Sequence, residues 1–236
     1  MLNYYIGMLE KQDIFTLMGG AVRMWRGGYN PTCDAVLLAA FAGACRAKTI
    51  LDVGVGSGGV ALCIMQHIAG ARITGIDNSA QMLDQCARNA ELNNCDIELI
   101  NADIFSWRTA QTFDLVVTNP PYFRGTPSIK HGHAHQNADI QNWIRRSIAR
   151  VRPHGTFCTI IDAAVAAECI AVINEHCGGI YIMPLFGARD TAERVLIRGC
   201  VGSRGNTIIH SGISMNCDAV LRDGLTIADA LSKLNA

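Results

Sequence analysis

Short apolar, β-branched runs alternate with longer apolar or amphipathic stretches along most of this 236-residue chain. Ile14-Phe15-Thr16-Leu17-Met18 and Ala21-Val22-Arg23-Met24-Trp25 flank Gly19-Gly20, a pattern that predicts a hairpin. Gly27-Gly28-Tyr29-Asn30-Pro31 reads as a loop, and 34–44 as an apolar helix. From Lys48 the rhythm becomes strand and helix in turn. Strands are expected at 49–53, 72–76, 96–100 and 113–118, with helices at 59–68 and from a Ser79 cap to about Asn93. A polar loop at 123–138 precedes a helix at 139–151, a Pro153-His154-Gly155 turn and a strand at 156–161. A helix at 163–176 and strands at 180–185 and 194–201 follow. Beyond Gly202 the signals are weak, apart from a short helix near 227–234. This alternation predicts an α/β fold, a mostly parallel sheet covered by helices on both faces.

Composition narrows the class. Half the residues are apolar and 17% are charged, a globular balance rather than a disordered one. The length suits a single domain: an extension at 1–47, a core at 48–201 and a tail at 202–236. Lys plus Arg equals Asp plus Glu at 20 each, so an anionic partner must be met by a local patch. None of the ten cysteines forms a C-x-x-C pair, which argues against structural zinc and a disulfide framework. Free thiols, no signal-like N-terminus and no apolar run of membrane-spanning length lead to the expectation of a cytoplasmic protein without membrane or metal, with a monomer favoured.

Two motifs carry the chemistry. The strand at 113–118 runs into Asn119-Pro120-Pro121-Tyr122. Consecutive prolines fix φ and remove two N–H donors, so this corner offers acceptors: the Asn119 side-chain oxygen and the Pro120 carbonyl. With an aromatic ring beside them, they suit a planar group bearing an NH2. Alone, the motif reads equally as a loop signal.

The strand at 49–53 runs into Asp52-Val53-Gly54-Val55-Gly56-Ser57-Gly58-Gly59. Gly54, Gly56 and Gly59 also match the dinucleotide G-x-G-x-x-G fingerprint, with Asp77 ending the next strand. Against a nicotinamide reading, Asp52 sits two residues ahead of the first glycine, where a pyrophosphate gains nothing from negative charge. The stretch fits D-x-G-x-G-x-G instead, the signature of S-adenosylmethionine (AdoMet) binding. Asp52 can orient the methionine ammonium, while Gly54, Gly56 and Gly58 make room. Asp77 can accept from the ribose hydroxyls, Asn78 lies against the adenine, and Asp103 can accept its amino hydrogens. Helix capping is the plain alternative for Asp77 and Asp103.

With both motifs placed, the chain resembles the AdoMet-dependent amino methyltransferases, whose motif is N-P-P-[YF]. It looks most similar to the bacterial tRNA1(Val) adenine-37 N6-methyltransferase family, through residues 34–41, 51–58 and 119–123 and the stretch Arg194-Val195-Leu196-Ile197-Arg198. The resemblance implies a Rossmann-like class I fold with a seven-stranded sheet, and methyl transfer to the N6 amine of adenine in tRNA. It also implies that Asn119, Pro120, Pro121 and Tyr122 form the catalytic corner, and that Tyr29 and Asp34 close the cofactor pocket. Glutamine N5-methylation of a release factor would use the same corner.

Between Arg124 and Arg152 stand six basic residues (Arg124, Lys130, Arg145, Arg146, Arg150, Arg152) against one acid, Asp139. This stretch predicts an RNA-facing surface, with Phe123, Arg124, Lys130, Arg145 and Arg146 as substrate contacts beside Tyr122. A solvated helix face is the competing reading. His131, His133 and His135 lie in the same segment without nearby acids, an arrangement poorly suited to a metal.

Overall fold

The computed structural model describes residues 13–27, 30–121 and 140–234. Strands β1 (Ile14–Leu17) and β2 (Val22–Trp25) pair antiparallel across a 3-10 turn in which Gly19 takes φ 61°. Next comes α1 (Cys33–Ala42), whose residues from Asp34 to Ala42 are all buried. A helix apolar all round must be covered all round. Here the sheet covers one side, while α2 (Gly59–His67), α6 (Asp218–Leu221) and α7 (Ile227–Leu234) pack around the rest. The weakly patterned tail therefore has a role legible in α1: Val220, Ile227 and Ala230 join its core cluster.

The sheet contains β3 (Thr49–Val53), β4 (Arg72–Asp77), β5 (Ile97–Asn101), β6 (Phe113–Thr118), β7 (Val151–Asp162), β8 (Cys177–Phe186) and β9 (Ala192–Val201). Two two-residue strands from the tail, β10 (Ile208–Ile209) and β11 (Ile213–Ser214), pair with β8. The order is β10-β8-β9-β7-β6-β3-β4-β5, nine strands among the described residues once β11 is counted. The expected seven-stranded frame is present. The two additions are too short to show any periodicity. Pairing is parallel from β5 through β7, and β9 runs antiparallel to both β7 and β8.

Helices α3 (Ala80–Leu92), α4 (Ile140–Ile148) and α5 (Ala166–His176) complete the layers. One core joins α1, α2 and α3 to one face of the sheet; the other joins α4 and α5 to the opposite face. Ser79 caps α3 by accepting from the Met82 amide at 3.3 Å, as its sequence position predicts.

One expected boundary moves. The helix read at 139–151 ends at Ile148, and Pro153-His154-Gly155 is no turn between elements but an irregularity inside β7. Phe113 pairs with Val151 and Leu115 with Thr156, so five residues of β7 span two of β6. His154 takes φ 61° there. Proline and glycine mark bulges as readily as turns.

The direction in which the chain winds across the sheet reverses between the parallel strands β3 and β6. From β3 the chain winds through α2 to β4 on one side; from β6 it winds through α4 to β7 on the other. Ligands of open α/β sheets bind at the carboxyl ends of the strands flanking such a switch point.

Candidate active site

Both chemical motifs leave the sheet at that switch point. Val53 pairs with Thr118, so the glycine loop and the Asn119 corner start side by side at the same level. The start of the loop is tied to β4: the Gly54 and Val55 amides both donate to the Ile76 carbonyl, at 2.8 and 3.0 Å. Gly54 and Gly58 take φ of 75° and 90°, a region that other side chains enter only with strain. α2 then begins at Gly59, where a Cβ would lie 2.6 Å from Pro31 Cβ. The loop before α1 thus closes directly on the start of α2.

The acids around this loop are in unlike states. Asp77 accepts from the Gly56 amide through Oδ2 and from the Ser79 amide through Oδ1, both at 2.9 Å. It is half-buried, and each carboxylate oxygen keeps capacity for a second donor. Asn78 beside it is exposed. Asp52 is 1% exposed, and neither of its carboxylate oxygens has a hydrogen-bond partner among the described residues. Burial, reinforced by the nearby Asp77 charge and opposed more weakly by the Ala61 amide, which lies too poorly placed for a regular hydrogen bond, pushes its pKa up to about 7. A buried acid without a well-formed hydrogen bond is costly unless something supplies one. Asp103 is exposed and its Oδ1 accepts from the Phe105 amide at 2.9 Å, closing the turn after β5.

At the corner, Asn119 and Pro121 are half-buried and Pro120 is buried. Tyr122, Phe123, Arg124, Lys130, Tyr29 and the three histidines lie outside the described residues. The neighbours of Tyr29 are placed, however. Gln85 of α3 donates to the Gly27 carbonyl at 2.6 Å, and Pro31 meets Gly59. Asp34 is buried and paired with Arg194 Nε at 3.2 Å, while Arg194 Nη1 reaches Asp162 at 3.2 Å. That network pins the start of α1 to the carboxyl end of β7 and the start of β9.

The basic run divides. Arg145 makes an exposed ion pair with Glu175 at 3.3 Å, and Arg146 is half-buried on α4. Arg150 donates to the Thr109 carbonyl at 2.8 Å and lies over Trp107, while Arg152 pairs with Asp114. Arg150 and Arg152 are thus at the amino edge of the sheet, opposite the switch point, and cannot share a surface with the corner. A charge run in sequence does not reveal which end of a strand it serves.

Sequence reasoning passed over Trp143, Thr118 and Asn89. Asn89 is fully buried, accepting from the Trp25 amide and donating to the Ser57 carbonyl, both at 2.9 Å. It ties the hairpin to the glycine loop. A polar residue on the buried face of an otherwise amphipathic helix was the available signal. Among the described residues no His, Cys, Asp and Glu group could hold a metal ion, and no helix is long and apolar enough to cross a membrane.

Comparison with known proteins agrees with this architecture. The family model described as the methyltransferase small domain matches residues 32–183. A tRNA1(Val) (adenine(37)-N6)-methyltransferase of Glaesserella parasuis is 28% identical over 154 residues, covering 63% of this chain and 65% of that protein. One of a Flavobacteriaceae bacterium is 34% identical over 132 residues, covering 54% and 57%. The chain thus spans somewhat less than two thirds of these two relatives. A release factor glutamine methyltransferase of Geobacter sulfurreducens matches over a shorter stretch, 35% identical over 77 residues and 33% of this chain. Among solved structures, a predicted O-methyltransferase from Agrobacterium tumefaciens aligns with TM-score 0.63 at 26% identity, covering 78% of this chain and 88% of its own. The fold is that of the class I methyltransferases, and the chain belongs to the methyltransferase small domain family.

Proposed function

We propose that the protein transfers a methyl group from AdoMet to the exocyclic N6 amine of an adenine in tRNA, position 37 of tRNA1(Val) being the target that the names of its relatives suggest. One observation carries the reading: a buried carboxylate without a donor, Asp52, stands on the strand next to the one that ends in the Asn-Pro-Pro corner. A cation is what Asp52 lacks, and AdoMet brings an ammonium. A pyrophosphate would meet repulsion there, which disfavours a nicotinamide cofactor.

AdoMet supplies an electrophilic methyl; the protein's residues supply the rest. Asp52 holds the ammonium, and Gly54, Gly56 and Gly58 let the backbone come close. Asp77 accepts the ribose hydroxyls with its remaining lone pairs. Asn78 lies along the adenine, and Asp103 accepts from its amino group. Asp34, held by Arg194, and Tyr29, between the anchored Gly27 and Pro31, close the pocket.

On the acceptor side, the lone pair of an adenine amine is delocalised into the ring. The Asn119 oxygen and the Pro120 carbonyl each accept a hydrogen bond from one of its two N–H groups, raising electron density on nitrogen and aiming it at the methyl. As the N–C bond forms the S–C bond would break, S-adenosylhomocysteine would leave, and one proton would pass from nitrogen to solvent. Pro121 stiffens the corner, and Tyr122 and Phe123 stack on the base. Arg124, Lys130 and Arg146 contact phosphates, with Arg145 contributing only if it leaves Glu175. Such a reaction places the protein in the cytoplasm with its tRNA.

Incubation with methyl-labelled AdoMet and separate pools of tRNA, ribosomal RNA and release factors, followed by mass spectrometry, tests the reading. Label on N6-methyladenine in tRNA supports it. Label on a glutamine amide, or on no pool, contradicts it.

A further inference from the structure

The glycine loop, the turn after β5 and the corner after β6 meet at one side chain that belongs to none of these motifs: Trp143, on α4. Its indole Nε1 donates to Thr118 Oγ1 at 2.9 Å. The Thr118 hydroxyl lies 2.8 Å from the Val53 carbonyl. An indole N–H can only donate and a carbonyl can only accept, so the hydroxyl must take the first proton and give its own to Val53. The direction of the chain is therefore forced by chemistry. Thr159 fixes Thr118 from the other side, its hydroxyl donating to the Thr118 carbonyl at 3.0 Å. Thr118 and Thr159 are fully buried.

The ring itself packs against the other two segments. A Cβ at Gly54 would come within 3.1 Å of Trp143 Cζ2, so the indole edge packs tightly over a residue whose φ of 75° already favours glycine. Phe105 meets the ring edge-on, with centroids 5.9 Å apart at 74°. The Phe105 amide is the donor that holds Asp103.

We propose that Trp143 and Thr118 form a positioning pair for methyl transfer, an indole–hydroxyl–carbonyl chain that sets the separation between donor loop and acceptor corner. Val53 immediately precedes the loop and Thr118 immediately precedes Asn119, so this chain spans the shortest path between the two half-sites. The inference rests on the methyltransferase reading of the site. In this arrangement neither residue is given a contact with a reacting atom. Their effect is on alignment, to which oriented reactions are steeply sensitive: a displacement of about 1 Å can cost about a hundredfold in rate.

The test compares Trp143→Phe, Thr118→Val and Thr118→Ser with the wild-type protein. Trp143→Phe keeps an aromatic ring and loses the donor; Thr118→Val keeps the shape and loses the hydroxyl; Thr118→Ser keeps the hydroxyl. The first two should lower kcat by about tenfold or more, with KM for tRNA and Kd for S-adenosylhomocysteine within about threefold of wild type. Thr118→Ser should recover most of kcat, and the Trp143→Phe/Thr118→Val double variant should lose no more than either single, as expected of one shared interaction.

A second readout needs no turnover. The protein has three tryptophans. In a nitrogen-15 spectrum, the indole resonance missing from Trp143→Phe should exchange slowly with solvent in wild type and shift in Thr118→Val, with or without S-adenosylhomocysteine. A Thr118→Val or Trp143→Phe protein with kcat within twofold of wild type, or equal loss in Thr118→Ser and Thr118→Val, overturns the pair alone. A wild-type protein that neither binds S-adenosylhomocysteine nor transfers methyl overturns the site reading and the pair with it.

Discussion

Two aspartates on neighbouring strands of the same sheet meet opposite fates. Asp114, at the amino edge on β6, accepts from the Lys48 and Thr49 amides at 2.8 and 3.0 Å and pairs with Arg152. The Arg152 hydrogen bond leads in holding its pKa down to about 2. Asp52, at the carboxyl edge on β3, makes no regular hydrogen bond among the described residues, the Ala61 amide acting on it only weakly, and burial pushes it up to about 7. The same side chain thus serves structure at one end of the sheet and, in the proposed reading, stands in reserve for a ligand at the other. A fold that satisfies a half-exposed acid three times over and leaves a fully buried one with so little supports the proposal that the ligand binds at the second.

That contrast can be broken in order of effect. Asn119→Ala should lower turnover by about 10²–10³-fold, the scale of losing one preorganised polar contact in a closed site. Kd for S-adenosylhomocysteine should stay near wild type. Single-turnover rates beside calorimetric binding separate the two, and near-normal turnover would remove Asn119 from the acceptor role.

Asp52→Asn should act in two directions. AdoMet affinity falls about ten- to hundredfold, while the unliganded protein gains about 1–3 kcal/mol at pH 8, because the buried charge is removed although a buried polar amide remains. The sign follows from proton binding. With a folded pKa of about 7 against an ordinary 3.8, the native state holds the Asp52 proton more tightly between about pH 4 and 7. Wild-type stability therefore falls relative to Asp52→Asn as pH rises through that window, and the gap is constant above it. Binding of the ammonium favours the carboxylate, so AdoMet should release protons near pH 7. Calorimetry in buffers of different ionisation enthalpy reads that release, and proton uptake would contradict the assignment.

At the satisfied end the effects shrink. Asp114→Asn should cost about 1 kcal/mol of stability through lost charge-assisted hydrogen bonds, with kcat and Kd unchanged. Because its pKa is depressed, this stabilisation is present above about pH 4 and lost as pH falls toward 2. Melting curves of both proteins at pH 3 and 7 check it. Smallest of all, Arg145→Ala should change stability by less than about 1 kcal/mol, since both partners of its ion pair are exposed. Unaltered salt dependence of tRNA binding in that variant would leave Arg124, Lys130 and Arg146 as the phosphate contacts.

The two ends of the sheet also differ in how legible they are in sequence. At the carboxyl edge the motifs announce themselves, because a strand, three glycines and an acid in order have few other uses. The limits of β3 and β6 and the Ser79 cap follow from local pattern alone. Trp143 and Thr118 were hidden because their contact joins residues 25 apart, with no spacing rule connecting an indole to a strand-end hydroxyl. At the amino edge, Arg150 and Arg152 look in sequence like part of an RNA-facing run. Only the irregular start of β7 shows that the chain has already crossed to the other end. The tail was faint for a different reason. Two-residue strands carry no period, and its evidence lay instead in α1, a helix with no polar face to leave exposed.

The most direct measurement compares the affinities of S-adenosylhomocysteine and its deaminated analogue for wild type and Asp52→Asn. If Asp52 is reserved for the ammonium, wild type should prefer the amine-bearing ligand by about tenfold or more, worth about 1.4 kcal/mol, and the variant should show almost no preference. Equal discrimination by the two proteins would contradict the account.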